Sequence, residues 1–146
     1  MVSASPRVKL SERKIFDGPS GSVLHALRSS DESFVGFGEA YFSTVKRGSI
    51  KGWKRHHKMT LNLFVPVGEV RFVTFDDRSV NKENHEVLSF CLSRKNYYCL
   101  TVPPLVWFAF QGLAESENLV MNVANIMHDP SEVEQRDLSD IPFEWE

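Results

Sequence analysis

The chain has 146 residues, of which 42% are hydrophobic and 25% charged, with a formal net charge of −2. This length predicts one domain, residues 1–146, with a buried core, and the near-neutral charge argues against a nucleic-acid-binding protein, which needs a broadly basic surface. The N-terminus lacks the apolar segment of a signal peptide, and the longest apolar run, residues 102–110, is too short to cross a bilayer. We therefore expect a cytoplasmic protein that binds neither nucleic acid nor a membrane.

Short segments rich in β-branched and aromatic residues, separated by turn residues, follow one another along the chain. A polar lead-in over residues 1–16 admits a short strand at 8–10. The main predicted strands cover residues 22–28, 33–44, 61–67, 70–75, 86–92, 97–102, 105–113 and 118–125. Many short strands at even spacing indicate a β-sandwich or barrel. The acidic tail from Asp129 is expected to be a solvated face, with a turn of helix before its apolar end at residues 141–145.

Residues 50–78 are the stretch around which the rest of the chain is organised. The stretch begins with a cluster of cations and imidazoles: Lys51, Lys54, Arg55, His56, His57 and Lys58. Two segments of alternating polarity follow, separated by a turn at residues 66–68, and this period of two is typical of strands. A cationic, polar strip at the start of an antiparallel sheet, beside an apolar interior, predicts a site for an anionic small molecule.

Five short motifs occur in an order that points to a known family. They are residues 21–27, the KGW of 51–53, the VGEV and DDR of 67–78, the LSRKN and VPP of 92–104, and the IPFEW of 141–145. Together they resemble the cupin-type dTDP-4-dehydrorhamnose 3,5-epimerase family (RmlC-like) and its sugar-nucleotide ketoisomerase relatives, and the motif at 67–78 is similar to the central hairpin of that family. The resemblance implies an all-β cupin jelly roll (a double-stranded β-helix), assembled as a homodimer.

The resemblance implies a different set of site residues from the epimerases. Lys54 stands where an epimerase has its base histidine, and His56 matches a second histidine of the ketoisomerases. The general-acid tyrosine would fall near Met121, and the arginine that contacts the substrate phosphate appears as Ser20. The aspartate that partners the base lies beyond the closing segment, where this chain has ended. The standard double-epimerase mechanism therefore does not carry over unchanged.

The basic cluster at residues 51–58 contains the predicted catalytic residues. Removal of a proton beside a ketone needs a base that titrates near neutral pH and a group that holds the enolate oxygen. His56 or His57 is the predicted base, with His56 favoured by its match to the ketoisomerases, and the two point to opposite faces of a strand. Lys54 shares the face of His56 and is predicted to stabilise charge or to act as the base itself. The alternative is a solvated loop without chemistry.

Four further residues are predicted to bind substrate: Lys51, Asn62, Arg71 and Tyr41. No metal is expected, because Leu61 and Phe108 occupy positions where a metal-binding cupin has ligands. Cys91 and Cys99 are expected to be reduced thiols.

Two functions of different class follow. The first is a cofactor-free isomerase or epimerase that acts on a nucleoside-diphosphate 4-keto-6-deoxyhexose in the synthesis of a deoxysugar for surface polysaccharide. The second is a non-catalytic cupin that binds a nucleotide-sugar or an acidic carbohydrate. A third, weaker alternative is a structural partner of a full-length sugar enzyme.

Overall fold

The computed structural model describes residues 6–145, so residues 1–5 of the predicted lead-in lie outside the described part of the chain. The strands are β1 Lys9–Glu12, β2 Ile15–Gly18, β3 Gly21–Leu24, β4 Glu39–Thr44, β5 Ile50–His56, β6 Leu61–Val67, β7 Glu69–Asp76, β8 Glu86–Ser93, β9 Tyr98–Val102, β10 Trp107–Gly112, β11 Leu119–Ala124 and β12 Val133–Gln135. Short 3₁₀ turns occupy Lys82–Asn84, Pro130–Glu132 and Leu138–Asp140.

The strands form two five-stranded antiparallel sheets that face each other. The first sheet has the order β1-β9-β6-β11-β4 and the second the order β12-β5-β10-β7-β8, while β2 and β3 form a separate hairpin. From β4 onward the chain changes sheet at every connection except the β7–β8 hairpin. This alternation is the double-stranded arrangement of a jelly roll, so the predicted all-β cupin fold is confirmed.

Two groups of buried side chains hold the sheets together. The larger group fills the space between the sheets and includes Leu63, Phe72 and Phe110. The smaller lies on the outer face of the second sheet, where Trp53, Trp107 and Ile141 are buried. Burial of large apolar and aromatic side chains is the main favourable term in folding. The C-terminal segment therefore belongs to the folded unit, since it covers the outer face of β5 and β10.

Some predicted strands are shorter than their sequence pattern indicated. The segment predicted at 22–28 is a strand only over Gly21–Leu24, and the one predicted at 33–44 is a strand only over Glu39–Thr44. At Gly38 the backbone lies against Ile126, where an added Cβ would be 2.1 Å from the Ile126 carbonyl carbon. Gly38 directly precedes β4, and residues 34–38 are not part of a strand.

The turn at Gly68 does not make a hairpin. β6 lies in the first sheet and β7 in the second, and β7 pairs with β8 and β10 instead. The predicted alternation is nevertheless confirmed, because Val70 and Phe72 face the core between the sheets while Val73 belongs to the outer cluster. The tight connection at Gly68 thus joins strands of different sheets, because a local pattern does not determine the sheet that a strand joins.

Candidate active site

A cavity of about 250 Å³ opens between the two sheets. One wall is formed by β5 of the second sheet, which contributes Lys51, Lys54 and His56. The facing wall is formed by β4 and β11 of the first sheet, which contribute Tyr41, Ser43 and Asn122. The apolar part of the lining is Met59, Leu61, Leu63, Phe108, Phe110 and Val120. Polar and cationic groups thus face each other across an apolar base, as the central stretch predicted.

An irregularity in β5 brings both lysines to the cavity. Simple alternation would place Lys51 and Lys54 on opposite faces of the strand. The register between β5 and β10 shifts between Lys51 and Lys54, so that Lys51 pairs with Phe110 and Lys54 with Phe108. The shift occurs at Gly52, which has φ +148° and whose added Cβ would lie 2.3 Å from the Ala109 Cβ. A glycine is required here because β5 approaches β10 too closely for a side chain.

His56 and Glu132 form a buried hydrogen-bonded pair. The two side chains are 7% and 4% exposed, and the His56 Nδ1 is hydrogen-bonded to the Glu132 Oε1. A carboxylate only accepts hydrogen bonds, so Nδ1 holds the proton and Nε2 is the unprotonated nitrogen of the neutral ring. The His56 ring also stacks on Phe108, with ring centroids 6.1 Å apart. The imidazole therefore has a fixed tautomer and a fixed orientation at the cavity wall.

Glu132 is itself held by the backbone after β5. Its Oε2 accepts hydrogen bonds from the backbone N–H groups of Lys58, at 3.1 Å, and Met59, at 3.2 Å. Burial by itself raises the pKa of the Glu132 carboxyl, but the hydrogen bonds from His56 and from the two amides outweigh burial and lower that pKa below its usual value. The carboxylate is therefore ionised at neutral pH.

The outer face of the second sheet fixes the segment that supplies Glu132. Strand β12 pairs with β5, with Val133 opposite His56. The guanidinium groups of Arg55 and Arg136 both lie over the Trp107 ring, 4.7 and 4.6 Å from its centroid. Cation–π contacts with an aromatic face are favourable. They join β5, β10 and the tail after β12, and so hold the segment that supplies Glu132 beside β5.

A phenol and an amide form the second polar pair of the cavity. Tyr41 on β4 and Asn122 on β11 are direct cross-strand neighbours. The Asn122 Nδ2 donates a hydrogen bond to the Tyr41 hydroxyl oxygen at 3.1 Å. Because Tyr41 accepts this bond, its own hydroxyl proton is available to a ligand. Met121, near which the resemblance implied a tyrosine, lies between Phe42 and Phe64 in the ladder and does not line the cavity.

Three of the predicted site residues lie outside the cavity. The His57 Nε2 is paired with the Glu134 Oε2 at 3.1 Å, and both side chains are partly exposed. Asn62 is buried behind the first sheet, where it donates to the Ser33 carbonyl and accepts from the Thr101 hydroxyl. Arg71 is on the face of β7 that includes Val73, away from the cavity. The predicted residues that do meet at the cavity are His56, Lys54, Lys51 and Tyr41.

Sequence reasoning missed Glu132 and Asn122. The tail was expected to be a solvated face, and for Glu132 this was wrong, because the side chain is 4% exposed and contacts His56. The sequence did not indicate a carboxylate partner for His56; Glu132, upstream of the closing segment, is hydrogen-bonded to it. The only local signal is the Asp-Pro-Ser-Glu sequence at 129–132, which forms a 3₁₀ turn with Asp129 as its N-cap.

No group of three or more potential metal ligands occurs among the residues that the structure describes. Within the same range, no helix is long and apolar enough to span a membrane. Cys91 and Cys99 are free cysteines, and burial raises the pKa of the Cys99 thiol.

Known proteins with the same fold include sugar-nucleotide enzymes. The crystal structure of a dTDP sugar isomerase from Desulfovibrio desulfuricans G20 has a TM-score of 0.88 and 38% sequence identity, and the match covers 94% of this chain and 90% of that one. The dTDP-4-dehydrorhamnose 3,5-epimerase from Sulfolobus tokodaii has a TM-score of 0.81 and covers 93% of this chain and 80% of its own, but at 20% identity it shows the fold alone.

A curated relative is similar at lower identity, and no protein-family model matches the chain. The protein named "Probable low-salt glycan biosynthesis epimerase Agl13", from Haloferax volcanii, is 25% identical over 126 residues, which are 85% of this chain and 79% of the relative. Because a solved dTDP sugar isomerase matches nearly the whole chain at 38% identity, this chain belongs to the RmlC-like cupin family of dTDP-sugar isomerases and epimerases.

Proposed function

We propose that this protein is a cofactor-free isomerase or epimerase of a nucleoside-diphosphate 4-keto-6-deoxyhexose, with His56 as the base. The observation that supports this function most directly is the buried His56–Glu132 pair at the wall of a cavity. A surface ion pair needs no such burial, whereas an imidazole with one nitrogen held by a carboxylate is a general base with a defined accepting nitrogen. This favours an enzyme over the alternative of a non-catalytic binding protein.

The proposed reaction uses the two walls of the cavity for different steps. His56 Nε2 removes a proton from a carbon next to the ketone, the C–H electrons form the enolate, and Lys54, on the same wall, stabilises the negative oxygen. Transfer of that proton by His56 to the former carbonyl carbon, while the proton of the adjacent hydroxyl passes to the enolate oxygen, moves the ketone by one carbon and gives a ketoisomerase that works on one face of the sugar. Delivery of a proton by Tyr41, from the facing wall, gives an epimerase that inverts the carbon.

The phosphates of the substrate are expected at the cationic side of the cavity. Lys51 and Lys54 are both exposed at the β5 wall, and His128 lies at its rim. The apolar base suits the methyl group of a 6-deoxy sugar, while a cavity of about 250 Å³ holds the hexose but leaves a nucleotide at the mouth. Arg71, Asn62 and His57 have no direct part in this arrangement.

We also propose that the active form is a homodimer of one-domain chains and that it works in the cytoplasm, where nucleotide-sugars are made. Strand β4 is at an edge of the first sheet, and Phe42 on its outer face is 65% exposed. An unpaired edge beside an exposed aromatic side chain favours association with a second chain. The names of the relatives support a role in polysaccharide synthesis, which for this chain remains a proposal.

Proton exchange with solvent tests the proposed function. The protein is incubated with dTDP-4-keto-6-deoxyglucose in deuterated water, and deuterium at C3 and C5 is followed by NMR, beside a His56→Ala variant. We expect deuterium at one or both carbons with the wild type and a loss of about 10²-fold or more in the variant. Binding of the sugar-nucleotide without exchange would instead support the non-catalytic cupin.

A further inference from the structure

Asn122 has a buried hydrogen-bond acceptor inside the cavity that the protein leaves unused. The side chain is 2% exposed and lines the cavity. Its Nδ2 donates to Tyr41, but its Oδ1 has no hydrogen-bond partner among residues 6–145. A buried polar atom without a partner is costly, about 1–3 kcal/mol, and such atoms are uncommon in folded proteins.

The two other buried asparagines, Asn62 and Asn118, have partners for their amide oxygens. The Asn62 Oδ1 accepts from Thr101, and the Asn118 Oδ1 accepts from the backbone N–H groups of Glu69 and Ala114. The half-buried Asn125 also accepts at Oδ1 from the backbone N–H of Thr60. These three residues do not line the cavity. The unused acceptor therefore coincides with the one buried asparagine, among the described residues, that faces the ligand space.

We propose that Asn122 determines substrate specificity by accepting a hydrogen bond from one sugar hydroxyl. The proposal rests on the proposed function, since it assumes that a sugar-nucleotide occupies the cavity. The hydrogen bond from Nδ2 to Tyr41 fixes the orientation of the amide, whose Oδ1 has no partner among the described residues. A ketone, an ether oxygen or a fluorine cannot satisfy Oδ1, because each of them lacks a proton to donate. The residue therefore selects a sugar with a free hydroxyl at one ring position and disfavours its deoxy analogue.

This selectivity follows from the cost of leaving the amide unpaired. A site that is built to hydrogen-bond a hydroxyl discriminates strongly against an analogue without one, because the buried partner then loses its hydrogen bond. An apolar pocket discriminates only weakly, because the loss of a polar group from the ligand changes the binding free energy little there. Most of the cavity base is apolar, so the hydroxyl that Asn122 contacts is expected to dominate the preference on this wall.

Binding measurements with unreactive ligands test the proposal separately from catalysis. The probes are dTDP-6-deoxyglucose and its analogues in which the 2-, 3- or 4-hydroxyl is replaced by fluorine, and the dissociation constants are measured by calorimetry. With the wild type, we expect one analogue to bind about 10- to 100-fold more weakly than the parent sugar. With Asn122→Leu, which keeps the size of the side chain but has no acceptor, we expect that difference to fall to within about threefold.

Two further variants separate recognition from a general effect on the strand. Asn122→Asp keeps an acceptor and should retain the preference for the hydroxyl. Met121→Leu changes the neighbouring residue, which does not line the cavity, and should leave all four dissociation constants as in the wild type. Thermal unfolding of each variant shows that the fold is intact.

The outcomes distinguish this inference from the proposed function. If the wild type binds the parent and all analogues equally, or if Asn122→Leu retains the full preference, the role of Asn122 is refuted while the isomerase proposal stands. If binding shows the expected preference but no deuterium enters the 4-keto sugar, Asn122 is a specificity residue of a binding protein. If no dTDP-sugar binds at all, both proposals fail.

Discussion

Replacement of Glu132 by glutamine tests whether the tail of the chain positions the base. In the wild type, the carboxylate accepts three hydrogen bonds, one from His56 Nδ1 and two from backbone amides. In Glu132→Gln, the amide oxygen still accepts from Lys58 and Met59, which turns the –NH₂ group toward His56. Nδ1 then becomes the acceptor and Nε2 the protonated nitrogen, so that the base faces the substrate in the wrong tautomer.

The expected loss is the contribution of general-base catalysis. Such catalysis is typically worth about 10²- to 10⁴-fold, or about 3–5 kcal/mol of activation free energy at 1.36 kcal/mol per decade. We expect the rate of deuterium exchange to fall by at least about 10²-fold, with the dissociation constant for dTDP within about twofold of the wild type, because Glu132 is behind the histidine and not in the phosphate region. Rapid-quench NMR at saturating substrate separates the rate from the affinity.

The same variant has a signature in the pH dependence of stability. Folding lowers the pKa of Glu132 from its ordinary value of 4.5, so the ionised group stabilises the fold above that value and this contribution is lost as the pH falls through the lower pKa of the folded state. The difference in free energy of unfolding between wild type and Glu132→Gln should therefore be largest near about pH 7 and shrink near about pH 3, as measured by urea denaturation.

A neighbouring glutamate provides the control. Glu134→Gln removes the same charge two residues further on, where the carboxylate contacts His57 and Arg55 outside the cavity. We expect exchange within about threefold of the wild type in this control, since exposed ion pairs contribute little. If Glu132→Gln were as active as Glu134→Gln, Glu132 would be a structural residue and the His56 orientation would have another cause.

Three other changes follow from the geometry. Gly52→Ala should lower the free energy of unfolding by about 2 kcal/mol or more, because the new methyl group overlaps Ala109. Gly48→Ala is the control: an added Cβ has nothing within 4 Å, so the variant should lose only the free energy of strain from its positive φ. Chemical denaturation measures both variants. Lys51→Met should raise KM and weaken its salt dependence with little change in kcat, and an unchanged KM would place the phosphates elsewhere. Arg136→Leu should lower the free energy of unfolding by about 1 kcal/mol, measured as a lower Tm, because one of the two cation–π contacts with Trp107 is lost. An unchanged Tm would mean that the contact from Arg55 alone holds the Trp107 ring.

The fold could be predicted from sequence because its signals are local and repeated. Alternation of apolar residues in residues 61–75 and the turns between short strands indicated an all-β sandwich, and the order of motifs narrowed it to a cupin. The pairing of the strands could not be predicted in the same way. Both β6 and β7 were predicted as strands, but β6 joins its sheet by pairing with β11 and β7 by pairing with β10, and these partners are distant in sequence.

The part of the candidate site that lies on a single strand could be predicted from the sequence. His56 and Lys54 lie on the same face of β5, as their spacing indicated, while Lys51 reaches that face only through the shifted register at Gly52. Glu132 and Asn122 could not be found, because their roles arise from long-range packing: one depends on β12 joining β5, and the other on β11 pairing with β4.

The position of Glu132 in the chain has a practical consequence for engineering of the protein. His56 and its carboxylate partner are separated by 76 residues, and the carboxylate follows β11 in the chain. A nascent or truncated chain that ends before Pro130 has every strand from β1 to β11 and the histidine, yet lacks the partner of that histidine. Loss of the segment from Pro130 onward would therefore leave His56 without its partner, and a change at Trp145, which contacts Trp53 and Phe143, would act on the packing of that same segment.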